Sequence, residues 1–104
     1  MNMKVLILSL KRKWFDMIAA GIKKEEYREI KPYWKNRFLV AHNGWCYVFN
    51  KFDAVEFTLG YPPKDDTSRR IRFEIEHIRI GAGVPEWGAE SGKNYFVIKL
   101  GNRI

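Results

Sequence analysis

The chain opens on Lys4-Val-Leu-Ile-Leu-Ser-Leu10, a short apolar run with β-branched content. Such a run predicts a buried strand. Ser9 reads as a helix N-cap, and Lys11 to Ala20 reads as a helix. Leu10, Trp14, Met17 and Ile18 fall at i, i+4, i+7 and i+8, which makes one apolar stripe. A helix of about ten residues is held by packing of such a stripe rather than by propensity. Gly21 stands where a left-handed glycine ends a helix.

No helical stripe runs through Lys23-Lys-Glu-Glu-Tyr-Arg-Glu-Ile30. In extended form, Lys24, Glu26 and Arg28 share one face, and Glu25, Tyr27 and Glu29 share the other. Pro32 biases Lys31 towards extended backbone. Pro32 to Leu39 reads as one or two helical turns with the proline at the first position. His42-Asn43-Gly44 signals a turn.

Tyr47 to Leu59 is rich in Val, Phe and Tyr and predicts a strand, as do Ile71 to about Ile80 and Tyr95 to Leu100. Gly60 to Ser68 and Gly81 to Gly88 read as loops. The pattern predicts a single α+β domain over residues 1–104: a curled sheet or partly open β-barrel with one main N-terminal helix and short helical turns beside it.

Composition narrows this picture. The 104 residues are 46% apolar and 15% aromatic, which indicates a folded core rather than disorder. No apolar run approaches a membrane span. Val5 to Leu8 is too short for a signal-peptide core and has no cleavage site after it. Cys46 is the only cysteine, which excludes a disulfide scaffold. With two scattered histidines, His42 and His77, it leaves no metal-binding pattern and no call for a cofactor. The expectation is a cytoplasmic domain, with the monomer favoured.

The net charge of +7 is unevenly placed. Residues 1–40 hold ten Lys and Arg against four acids; residues 41–104 hold nine against eight. A basic surface attracts polyanions, of which nucleic acid is the commonest. A solvated basic surface is the plainer reading. Interleaved aromatics favour the first, because Tyr27, Tyr33, Trp34, Trp45 and Trp87 are candidates to stack bases. Tyr33 and Trp34 lie beside Lys31, Lys35 and Arg37. Core packing is the competing role, preferred for Trp14 and the strand phenylalanines. Cys46 reads as a small buried hydrophobe.

The densest polar cluster is Gly21-Ile-Lys-Lys-Glu-Glu-Tyr-Arg28. A carboxylate between cations is held ionised and oriented, the arrangement of Glu26 between Lys24 and Arg28. Arg28 has the fork to grip a phosphate or a base edge. Lys23, beside other cations, is a candidate base or nucleophile. The alternative is an exposed ladder of ion pairs.

The stretch Met17 to Arg28 resembles the signature of the ASCH family of PUA-like domains. That signature is an apolar helix end followed by G-x-K-x-x-E-x-R, matched here by Gly21, Lys23, Glu26 and Arg28. Leu8-Ser-Leu-Lys11, Gly81-x-Gly83 and the closing Tyr95 to Gly101 are similar to small bacterial and phage-type members. The resemblance implies a PUA-like barrel whose cleft is lined by the Lys, Glu and Arg. It implies RNA binding, with Lys23, Lys24, Glu26, Arg28, Lys31, Tyr33 and Trp34 as ligand-binding candidates. One branch of small members hydrolyses the amide of N4-acetylcytidine with a Lys–Thr–Glu set. Lys23 falls on that Lys, and Glu26 falls where that branch carries Thr.

Two functions therefore stand open. One is a non-catalytic module for RNA or another nucleic acid. The other is a small hydrolase of a modified nucleoside or of RNA, with Lys23 and Glu26 catalytic. A protein-interaction domain without chemistry is a third.

Overall fold

Seven strands and two helices make up the computed structural model, which describes residues 3–42 and 47–104. They run β1 (Val5–Leu10), α1 (Arg12–Ala19), β2 (Glu25–Arg28), α2 (Pro32–Phe38), β3 (Leu39–His42), β4 (Tyr47–Phe49), β5 (Ala54–Leu59), β6 (Arg70–Ala82) and β7 (Asn94–Arg103). Five strands form a curled half-barrel sheet in the order β1-β5-β6-β7-β2, and β3 and β4 pair separately. Among the described residues, only the β1–β5 pair is parallel; the other ladders are antiparallel. The domain is α+β, as a pattern of mostly strands with one early helix predicts.

Strand alternation decides what the sheet buries. Leu6, Leu8 and Leu10 of β1 point into the core, where Val55 and Phe57 of β5, Ile71 and Phe73 of β6 and Phe96, Ile98 and Leu100 of β7 meet them. Helix α1 adds Phe15 and Ile18, and Phe38 enters from the end of α2. Phe15 therefore belongs to the buried stripe, whereas Trp14 and Met17 are only half-buried. The other side of β7 is also covered: Tyr95 and Val97 pack with Ala89 and Tyr27 in a second cluster.

Several boundaries differ from the sequence expectation, each for a physical reason. Ser9 is not a helix cap. It continues β1, and Lys11 precedes α1 with no side-chain cap. The expected strand from Tyr47 to Leu59 is two strands, broken at Asn50 to Asp53. There the Asp53 carboxylate accepts the Lys4 backbone N–H at 2.7 Å, and the Asn50 amide donates to the Arg37 carbonyl at 3.0 Å. These side chains turn the chain instead of letting it extend. Leu39 begins β3 rather than ending a helix. Strands β6 and β7 run longer than expected because they pair with each other out to Ala82 and Asn94. Gly81 thus belongs to β6, and the loop after it holds a 3-10 turn at Pro85–Trp87. The expected Asn43-Gly44 turn and the roles read for Trp45 and Cys46 lie outside the described residues, as does the side chain of His42. His77 is exposed on β6.

Among the described residues, no helix is long and apolar enough to cross a membrane.

Candidate functional site

The end of α1 sets the site. Gly21 takes φ +77°, the left-handed value glycine adopts without strain. Its N–H donates to the Ile18 carbonyl at 3.0 Å, and the Ile22 N–H reaches back to Met17 at 2.9 Å. That pair of bonds is a Schellman termination. The Lys23 N–H also donates to the Met17 carbonyl, at 3.1 Å. The chain leaves the helix with Lys23 fixed, and two residues later β2 begins.

Strand β2 docks on β7 with Glu26 opposite Ile98 and Arg28 opposite Phe96. Directly paired residues share a face of the sheet, so both polar side chains stand beside core residues. Burying a carboxylate there requires cationic partners. Lys23 Nζ lies 3.3 Å from Glu26 Oε1. Arg28 grips Glu26 Oε2 through Nη2 at 2.6 Å and Nε at 3.0 Å. The Lys–Glu–Arg set is thus one ladder with the carboxylate at its centre.

Lys23 is almost wholly enclosed, with 2% of its surface exposed. Its ammonium donates to the Trp87 carbonyl at 2.5 Å. It also lies 4.7 Å from the centre of the Tyr27 ring and 5.2 Å from that of Trp14, where ring faces attract a cation. Burial pushes the Lys23 ammonium below its usual pKa, and the Glu26 carboxylate offsets part of that shift. Tyr27 is fixed too. Its hydroxyl donates to Glu25 at 2.7 Å and accepts the Val84 N–H at 2.8 Å. It therefore packs inward, against Tyr95, and does not stand free to stack a base. Trp87 serves through its main chain, with a half-buried ring.

Of the three, Arg28 and Lys23 reach concavities, and different ones: Lys23 borders a hollow shared with Lys24 and Lys99, and Arg28 another. Besides Glu26, its Nη2 donates to the Ser9 carbonyl at 2.9 Å. Its guanidinium carbon lies 5.0 Å from the centre of the Trp34 ring. Trp34 in turn stacks on buried Phe38 and meets Tyr33 edge-on. Arg28, Tyr33 and Trp34 border a hollow of about 320 Å³ with Ser9, Thr58 and Tyr61. A volume near 300 Å³ is at the small end for ligand pockets.

The remaining candidates lie elsewhere. Lys24 is exposed and borders a different hollow, of about 340 Å³, near Lys99 and Glu76. Lys31 is exposed and pairs with Glu29 at 3.2 Å. Glu29 also takes Lys93 at 3.1 Å, and these two cations hold its carboxyl below the usual range. The expected open Lys–Glu–Arg cleft is thus a buried ion-pair ladder whose two ends border separate hollows, Lys23 at one and Arg28 at the other. A charged row on a short strand is ambiguous between the two forms until its partners on β1 and the Trp87 loop are known.

Ser9, Thr58 and Tyr61 joined the hollow without a sequence signal. Tyr61 sits in a stretch whose Gly and Pro residues mark only a loop, and Thr58 is one polar step in an alternating strand.

Among the described residues, no three His, Cys, Asp or Glu side chains group to hold a metal ion. No family model, curated protein or solved structure matches the chain, so its geometry stands without a named relative.

Proposed function

We propose that this domain binds RNA and holds one nucleotide in the hollow between Arg28, Tyr33 and Trp34. One observation carries the reading: a guanidinium locked by a buried carboxylate, stacked on an indole, at the mouth of a hollow of about 320 Å³. Arginine presents its donors in a rigid fork suited to phosphate oxygens and base edges. Tyr33 is 63% exposed beside it, a ring free to stack on a base. The likeness of Met17 to Arg28 to the ASCH signature supports a PUA-like barrel with this function, as does the curled sheet.

Enclosure of Lys23 favours binding over hydrolysis. A hydrolase acting through Lys23 would need its ammonium at the substrate, and that ammonium lies against Trp14, Tyr27 and the Trp87 carbonyl.

Titration with uridine monophosphate and with a short oligouridylate tests the proposal. Binding is expected at low salt, weakening steeply as salt rises for the oligonucleotide. Tyr33→Ala, an exposed change, is expected to lower affinity roughly tenfold, the effect of one lost stacking contact. Absence of binding to either ligand, or an unaltered Tyr33→Ala, overturns it.

A further inference from the structure

The outer face of the sheet carries a second feature that adjoins the Arg28 hollow and extends well beyond it. Between the inward leucines of β1, Ile7 points outward and is 52% exposed. Register places Ile7, Glu56 and Arg72 in one row across β1, β5 and β6, and Ser9, Thr58 and Arg70 in the next. A trough of about 970 Å³ lies over these rows, continuing to Lys64, Arg103 and Ile104. It shares Ile7, Thr58 and Tyr61 with the Arg28 hollow, so the two are continuous.

Charge in the trough is one-sided. Lys64, Arg70, Arg72 and Arg103 stand against Glu56 alone. Glu56 accepts from Arg70 and from Arg72 at 3.0 Å each. Burial raises its carboxyl, but these two hydrogen bonds outweigh that and hold it below the usual range. It therefore fixes two guanidinium groups on the sheet without cancelling the surplus of cations. Tyr61, 93% exposed, stands where trough and hollow meet.

We infer that the trough is the track for a single-stranded nucleic acid whose neighbouring nucleotide occupies the Arg28 hollow. This rests on the nucleotide reading of that hollow and extends it, from a nucleoside-sized ligand to a strand. Phosphates lie along the arginine rows, and Tyr61 stacks on a base adjacent to the one beside Trp34. The fit is by charge and by an aromatic face, the two elements of strand binding without base readout. A duplex keeps its bases stacked and offers Tyr61 no face.

The test compares uridine monophosphate, a short oligouridylate and a blunt RNA duplex by fluorescence and calorimetry. The variant is Lys64→Glu with Arg103→Glu; both side chains are exposed and line the trough but not the hollow, and circular dichroism checks the fold. Wild type is expected to bind the oligouridylate at least tenfold more tightly than the monophosphate. By removing two cations that face phosphates, the variant is expected to lose roughly ten- to a hundredfold for the oligouridylate and nothing for the monophosphate. A monophosphate that binds as tightly as the oligouridylate, or a variant indistinguishable from wild type, overturns the track and leaves the hollow standing. A duplex that competes equally with the oligouridylate also overturns it. Oligouridylate binding that is lost in the trough variant but unchanged in Tyr33→Ala supports the trough and overturns the hollow instead. Failure of wild type to bind any of the three overturns both.

Discussion

Arg28 on β2 donates to the main-chain carbonyl of Ser9 on β1 at 2.9 Å. Those two strands are the opposite edges of the five-stranded sheet and share no backbone ladder. One guanidinium therefore bridges the seam of the half-barrel, and the same group is fixed by Glu26. Arg37 adds a weaker contact to the next exposed carbonyl of β1, that of Ile7, at 3.5 Å.

Arg28→Lys keeps the charge and removes the fork. It is expected to lower stability by about 1.5–3 kcal/mol, the range for charge-assisted hydrogen bonds. Amide exchange should quicken in β1 and β2 more than in β6. Urea unfolding and exchange measured by NMR check this; unchanged exchange at the two edges would count against the bridge.

Glu26 is the centre of the ladder, so its loss costs more. Glu26→Gln leaves the Lys23 ammonium enclosed without a counter-charge and should destabilise by about 3–5 kcal/mol. Combining it with Lys23→Met should recover part of that loss, because an apolar chain tolerates the enclosure. Denaturation midpoints of the two variants decide the point. A double variant weaker than Glu26→Gln alone would contradict it.

Two groups oppose each other at alkaline pH. Burial lowers Lys23 below 10.5, so the unfolded chain binds more protons in the window beneath 10.5, and stability rises with pH there. Burial holds the Tyr27 phenol well above its usual 10.0, against the Val84 N–H and with help from the Glu25 carboxylate. Its contribution is complete below 10.0 and is lost as pH climbs beyond. Stability should therefore rise and then turn over. Lys23→Met should flatten the rise, and Tyr27→Phe should soften the fall. Urea midpoints across an alkaline series measure both, and phenolate absorbance should show one tyrosine titrating only on unfolding.

Gly83 has no room for a side chain. A Cβ there would stand 2.6 Å from the Tyr27 ring and 2.7 Å from the Ala89 methyl. Gly83→Ala is expected to destabilise by about 1–3 kcal/mol, as overpacking does. It should also displace the Tyr27 ring that faces Lys23. A thermal melt gives the first effect, and an altered Tyr27 titration gives the second.

What the sequence showed most clearly was local. Gly21 and Ile22 close α1 through bonds to Ile18 and Met17, all within a few residues, whereas strand alternation placed Lys24 beside Glu26 and Arg28, and the cation that meets Glu26 is Lys23. Ser9 misled because its hydroxyl suits a cap, while its carbonyl is held by Arg28 from across the seam. The break at Asn50 to Asp53 rests on Lys4 and Arg37, far away along the chain. The trough was hidden for the same reason. Its cations come from a loop, β6 and β7, whereas the surplus of charge in the sequence lies in the first 40 residues. Several of those early cations are used internally: Lys23 is enclosed, Arg28 is largely so, and Lys31 is paired with Glu29. Only strand register turns Ile7, Glu56 and Arg72 into neighbours.

Because β2 has no partner but β7, the order of synthesis matters. Lys23, Glu26 and Arg28 are synthesised before β7, the strand that receives Glu26 and Arg28 and that follows every other described strand. A nascent chain halted before Asn94 lacks the strand against which Glu26 and Arg28 are buried. The groups that are hardest to enclose wait for the strand that covers them, so docking of β7 and assembly of the ladder become one event.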